Sequence, residues 1–268
     1  MRIKLIALAT VVAALAIGVT ASNAALQQKV SVNVKFKKAG GPGTIKVALE
    51  NLEPSGGNPD ALVPERISQL VVSSKSIKYN SKAIPYCKIV PSQTAGGVDT
   101  IPTNVQGNND SQFLAPEPGG NNSQIVLKNC PLTSLIGKGT FEAVVGHVRQ
   151  PFDKSQAGFI TGKIYAFNYK PRSGDQAAMV VWLQSDNPVP NANQYEYVGV
   201  SKSGTLTANI PTRAEIPTRI SDLLPEGIIS ATRLNLTLNA KGKKKPIFTI
   251  KSFSNLDVVG QLVRDDAN

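Results

Sequence analysis

Histidine is almost missing from this sequence: His147 is the one imidazole in 268 residues. Cysteine is nearly as scarce, with Cys87 and Cys130 alone and no C-x-x-C spacing. So few soft ligands do not assemble a zinc site, and no acid-rich calcium loop of the EF-hand kind is present. No cofactor and no metal are therefore expected. Nucleophile signatures are lacking too. Gly199-Val200-Ser201-Lys202-Ser203 fails the G-x-S-x-G elbow at its last position, and no serine is followed three residues later by lysine. Gly137-Lys138-Gly139-Thr140 lacks the upstream glycine and the following helix of a phosphate loop. His147 shares an alternating face with Ala143 and Val145, with no acid or nucleophile tied to it by a known spacing, so it reads as a core or edge histidine. Glu142, Asp175, Asp186 and Glu196 lie in or near expected strands; two of them meeting across a cleft would suit a glycosidase, whereas solvated faces are the plainer reading. No catalytic residue is assigned, and an enzyme is not expected.

Helical periodicity is absent from every long window, and only the N-terminus carries an extended apolar run. There Arg2 and Lys4 precede an uncharged stretch from Leu5 to Val19, followed by small and polar residues to Ser22-Asn23-Ala24. This is the pattern of a secretory signal peptide over residues 1–24, cleaved after Ala24. The apolar run falls short of the roughly 18 residues that span a bilayer core; an uncleaved signal anchor is the alternative. The remaining residues 25–268 then work outside the cytoplasm, secreted or envelope-associated, with no transmembrane segment after cleavage. In an oxidising compartment the isolated pair Cys87 and Cys130 reads as a disulfide, with two free thiols as the alternative. Closing a loop of this size is worth about 4 kcal/mol on the chain-entropy argument.

What is plentiful is positive charge and alternation. Twenty-nine Lys and Arg face 18 Asp and Glu, a net +11. A basic exported protein associates with wall polyphosphate, acidic polysaccharide or lipid headgroups, so the expected partner is an anionic cell-wall polymer or polysaccharide. Nucleic acid is not expected, because the basic residues are scattered and no recognised motif collects them.

Val30, Val32, Val34 and Phe36 alternate with polar residues, as do Ile45, Val47 and Leu49, and Leu234, Leu236 and Leu238. Period two means half-buried strands. Further strands are expected near 66–79, 123–129, 139–149, 159–169, 176–184, 195–208, 246–253 and 257–264, punctuated by Gly, Pro and Asn. Ala177 to Leu183 has no polar alternation, as in a central strand covered on both sides. The expected fold is all-β, an antiparallel β-sandwich, either single or as two immunoglobulin-like sandwiches in tandem that divide near 150–158. Pro64 to Leu70 matches Pro217 to Leu223 at five of seven positions, which tandem domains or chance would produce. Residues 92–122, rich in Gly, Asn, Pro and Gln, read as a long flexible loop.

Two groups are candidates for binding. Tyr165, Phe167 and Tyr169 share one face of a strand, and Tyr195 and Tyr197 share a face of another. Exposed, these rings would stack on sugars; buried, they are core and cross-strand pairs. Lys241, Lys243, Lys244 and Lys245 form a hairpin tip that is either simply solvated or a polyanion contact.

Ala83-Ile84-Pro85-Tyr86-Cys87, then Asn129-Cys130-Pro131 with Ile136-Gly137-Lys138-Gly139-Thr140, then Gly162-Lys163-Ile164-Tyr165-Ala166-Phe167-Asn168 resemble a family of uncharacterised exported proteins from actinobacteria. The resemblance runs from about residue 30 to about 240. It implies export and β structure and carries no activity. Further cysteines near the C-terminus, frequent in that family, are missing from this chain. The sequence thus points to a non-enzymatic exported envelope protein acting by binding or as a structural component; the alternative is a carbohydrate-binding module or glycan-acting enzyme.

Overall fold

The computed structural model describes residues 11–13, 27–36, 38–52, 67–88, 92–93, 99–100, 130–145, 159–187, 192–209, 229–239, 246–251 and 258–264. The fold is built on antiparallel strands, with two short 3-10 turns at Ser81–Ala83 and Leu132–Ser134 and no α-helix among the described residues. The strands are β1 (Val11–Ala13), β2 (Gln27–Phe36), β3 (Gly43–Leu52), β4 (Ile67–Ser73), β5 (Ile77–Tyr79), β6 (Ser92–Gln93), β7 (Asp99–Thr100), β8 (Leu135–Val145), β9 (Phe159–Tyr169), β10 (Asp175–Asn187), β11 (Ala192–Ser201), β12 (Thr205–Asn209), β13 (Ile229–Asn239), β14 (Phe248–Ile250) and β15 (Val259–Arg264).

The three stretches with the cleanest alternation are neighbours. β3 lies between β2 and β13, and the registers stack Val30, Leu49 and Leu234 in one row, Val32, Val47 and Leu236 in the next, and Val34, Ile45 and Leu238 in the third. Cross-strand rows of this kind are the unit of sheet stability. The sheet continues in the order β1-β2-β3-β13-β8-β9-β10-β11-β12-β4-β15. Its far strand, β15, returns to the β2 side, where a Cβ added at Gly260 would press on the side chains of Val30 and Val32. The result is a nearly closed, barrel-like sheet around one core that draws on β2, β3, β4, β8 to β11 and β13. β1 adds three residues to β2, pairing with Val32 to Val34; it falls within the stretch expected to be the signal peptide.

Two expected strands break where the backbone must turn. The stretch 66–79 splits at Ser74 to Ser76, because the Ser74 hydroxyl accepts the N–H groups of Ser76 and Ile77. The stretch 195–208 splits at Gly204, whose φ of 89° is left-handed. The chain after each break goes elsewhere. β12 folds back on β11, and β5 leaves the large sheet to pair with β14.

That two-stranded ribbon crosses one end of the barrel. Ile247, Phe248 and Ile250 belong to the main core, with Ile77 and Tyr79 packed beside them. On one side the Gly40 N–H, in the β2–β3 turn, donates to the Ile250 carbonyl at 3.0 Å. On the other side the Tyr79 hydroxyl reaches Asn168 near the end of β9.

β8 and β9, which flank residues 146–158, are paired from Leu135 to Val144. Residues 150–158, the echo segment 217–223 and the expected strand 123–129 lie outside the described residues. Within 92–122, β6 and β7 are described, and β7 pairs with β11 at Glu196.

Candidate binding surface

Alternation on β9 sends Tyr165, Phe167 and Tyr169 to the face away from the main core. There Tyr165, Phe167, Val180 and Trp182 form a second apolar cluster with Cys87 and Cys130, and Leu135 and Tyr169 pack against it. The two cysteines are joined, with Cα atoms 4.1 Å apart. Ala177 to Val180 and Trp182 are buried, so β10 is covered on both faces.

The covering segment is held by one side chain. Asn168, fully buried, donates its amide to the carbonyls of Ser81, Ile84 and Pro85 at 2.8, 3.0 and 3.1 Å. Its backbone carbonyl accepts the Cys87 N–H at 2.8 Å. Burial pushes the Tyr79 phenol well above its usual range, and nearby Tyr86 adds to the shift.

This closes two of the five rings of the expected aromatic platform. Tyr165 and Phe167 are 2% and 0% exposed, so their ring faces are not open to a sugar; tilted packing of Tyr165 on Trp182 at 5.2 Å occupies them instead. Tyr169 and Tyr197 are half-buried and meet edge to face at 6.0 Å. The Tyr195 backbone pairs with Trp182, and its side chain lies outside the described residues. Tyr197 is further engaged. Its hydroxyl donates to Asp175 Oδ2 at 2.6 Å and accepts the Arg172 N–H at 3.0 Å, while the Arg172 guanidinium lies 4.1 Å over its ring. Burial first, then the bond to Asp175, push its phenol up to about 12.

Glu142 and Asp175, the two candidate carboxylates whose side chains are described, do not meet. Glu142 neighbours Thr161 on β9 and faces Arg233 at 3.4 Å. Asp175 sits beyond Tyr169, eight residues further along that strand, a separation of roughly 25 Å. The side chains of Asp186 and Glu196, and all of His147, lie outside the described residues. No group of three His, Cys, Asp or Glu able to hold a metal occurs among the described residues.

Charge is distributed unevenly along the barrel. Far from the ribbon, the registers align Lys29, Glu50, Arg233 and Glu142 across β2, β3, β13 and β8, alternating in sign. Toward the ribbon, the corresponding row holds Asn33, Lys46, Thr237 and Lys138 with no acid. The turns beyond it add exposed Lys38, Lys75, Lys170 and Lys202, with Lys78 on the ribbon and Lys251 just after it. In those turns Asp175 is the one carboxylate among the described residues, and it is already engaged with Tyr197.

Sequence reasoning missed this collection, although its signal was present. Each turn was legible from its Gly, Pro and Ser residues, and each carries a lysine. Antiparallel pairing then puts alternate turns at the same end. The four lysines of the expected hairpin tip, Lys241 and Lys243 to Lys245, lie outside the described residues. No described helix is long and apolar enough to cross a membrane. No protein-family description, curated protein or solved structure matches this chain.

Proposed function

We propose that the chain is an exported, non-enzymatic protein of the cell envelope, acting by binding or as a structural component and held by its charge to anionic wall polymer or polysaccharide. The observation that carries this reading is the gathering of exposed lysines in the turns at one end, away from the acids of the barrel wall. Mutual repulsion among such groups is relieved by a polyanion, and binding then weakens as salt rises. Export is supported by the leader-like N-terminus, by the family resemblance around Cys130 to Thr140 and by the Cys87–Cys130 disulfide, a bond that persists in oxidising compartments. In this reading the barrel-like sheet is a flattened one, a sandwich with β2 and β3 facing β4 and β15.

Sugar binding is the second reading, and among the described side chains it is reduced to the half-open Tyr169 and Tyr197. The test is co-sedimentation of the exported protein with purified envelope over a salt series. Sedimentation at low salt that is lost at high salt is expected. Failure to sediment at any salt, or binding indifferent to salt and released by free sugar, overturns the reading.

A further inference from the structure

We propose that the ribbon end of the barrel docks end-on against a flat anionic lipid surface. This rests on the reading above that charge holds the protein in place, puts lipid headgroups where that reading has wall polymer, and names the geometry. The turns that carry the lysines do not lie in a line. Lys38 is in the β2–β3 turn, Lys170 and Lys202 follow β9 and β11, and Lys75 follows β4. In the strand order β2–β3 and β9–β10 lie on opposite sides of the barrel. The lysines therefore surround the end.

A linear polymer crossing that end meets a stripe and leaves the rest in water, whereas a plane of headgroups meets the whole ring. Lys78 fills the middle, since its neighbours Ile77 and Tyr79 pack toward the core and it is exposed on the outward side of the ribbon.

The partner's chemistry follows from the residue type and from what lies between the lysines. Apart from Arg172, whose guanidinium lies over the Tyr197 ring, the described cations of the ring are lysines, point charges on flexible stems, which suit a disordered layer of phosphates better than a fixed bidentate site. Among the described residues the exposed large apolar side chains are Leu132, 43% exposed, and Val259, 40% exposed. Leu132 precedes β8 and Val259 opens β15, and both strands begin at this same end. They lie on different sides of the ring in the strand order. Apolar tips among lysines match the boundary between headgroups and acyl chains.

The test uses the protein recovered after export, floated with vesicles of neutral phosphatidylcholine alone or mixed with anionic phosphatidylglycerol. Two triple variants carry the same loss of charge: K75Q/K170Q/K202Q at the ribbon end and K29Q/K163Q/R233Q on the wall. Native Trp182 emission checks that both are folded. Each lysine near an anionic surface contributes roughly fivefold in affinity, so the end triple should lose about 100-fold while the wall triple loses only a few-fold. Equal loss in both triples would overturn the docking face and leave charge-mediated retention standing. Soluble long-chain polyphosphate that binds as tightly as the vesicles, phosphate for phosphate, would overturn the planar partner in favour of a polymer. Failure to bind vesicles, polyphosphate and purified envelope alike would overturn both this inference and the reading beneath it.

Discussion

The Tyr79 hydroxyl donates a hydrogen bond to Asn168 Oδ1 at 3.0 Å, joining the ribbon that crosses the barrel to the strand that carries the disulfide cover. Because the same Asn168 side chain holds three carbonyls of residues 81–85, it is the node through which two layers are fixed. Replacing it removes a partner from the buried Ser81 carbonyl, the partly buried Ile84 carbonyl and the Tyr79 hydroxyl, and each such loss costs on the order of 1 kcal/mol. Asn168→Ala should therefore lose about 3 kcal/mol in urea unfolding, and Tyr79→Phe about 1 kcal/mol. The double variant should lose less than the sum, since the two share a bond. Equal costs for the two single variants would show that Asn168 is not the node.

Trp182, the single tryptophan, is fully buried in the cluster beneath Cys87 and Cys130. Reduction of the bond, or Cys87→Ala with Cys130→Ala, frees a loop of 43 residues and should lower stability by about 4 kcal/mol. The cover over β9 and β10 should loosen first, so Trp182 emission should move to longer wavelength in native buffer before the strands melt by circular dichroism. Emission that shifts only together with the strand signal would show that the cover is not separately held.

Legibility in the sequence followed how many neighbours each residue needed. The rows of β2, β3 and β13 could be read because one buried face against one wet face leaves alternation behind, as in Val30, Val32 and Val34. β10 could be read as doubly covered because Ala177 to Val180 has no wet face at all. What covered it could not be read. Tyr165 and Phe167 look the same in sequence whether a sugar or a disulfide lies on them, and the choice is made by Asn168, whose partners are more than 80 residues away. The ribbon was equally hidden, because three-residue strands such as β5 and β14 are too short to display a period and pair across about 170 residues. The lysine ring was hidden for a third reason: each turn contributes one residue, and only the strand order assembles them.

Gly204 and Gly174 make a matched pair of turn glycines. Both have positive φ, 89° and 96°, in the β11–β12 and β9–β10 turns. An added Cβ at Gly174 meets nothing within 4 Å, whereas at Gly204 it collides with the Ser74 carbonyl. Gly174→Ala should therefore cost only the left-handed penalty of about 1 kcal/mol. Gly204→Ala should cost clearly more and weaken the pairing of β12 with β4. Comparable thermal midpoints for the two variants would contradict the close approach of Gly204 to Ser74.

Alkali should unfold the protein through its tyrosines. Tyr79, Tyr169 and Tyr197 are all shifted upward, chiefly by burial. An unfolded tyrosine ionises near about 10, so below that pH both states carry the phenol proton and the stabilisation is fully present. As pH rises further, the unfolded chain releases protons that the folded chain retains, and stability falls. For Tyr197 the loss runs from about 10 to the folded value of about 12. Tyr79, shifted further and also by burial first, continues to favour unfolding beyond that point. The urea midpoint should thus be insensitive to these groups from pH 7 to 9 and should drop steeply above about 10. Tyr79→Phe should lower the neutral-pH midpoint through the lost bond to Asn168 and make the alkaline drop shallower, because one late-titrating phenol is gone. Phenolate absorbance should show the Tyr197 signal appearing well after that of an unfolded control. A drop equally steep in Tyr79→Phe and in the parent chain would mean that this buried phenol does not drive alkaline unfolding.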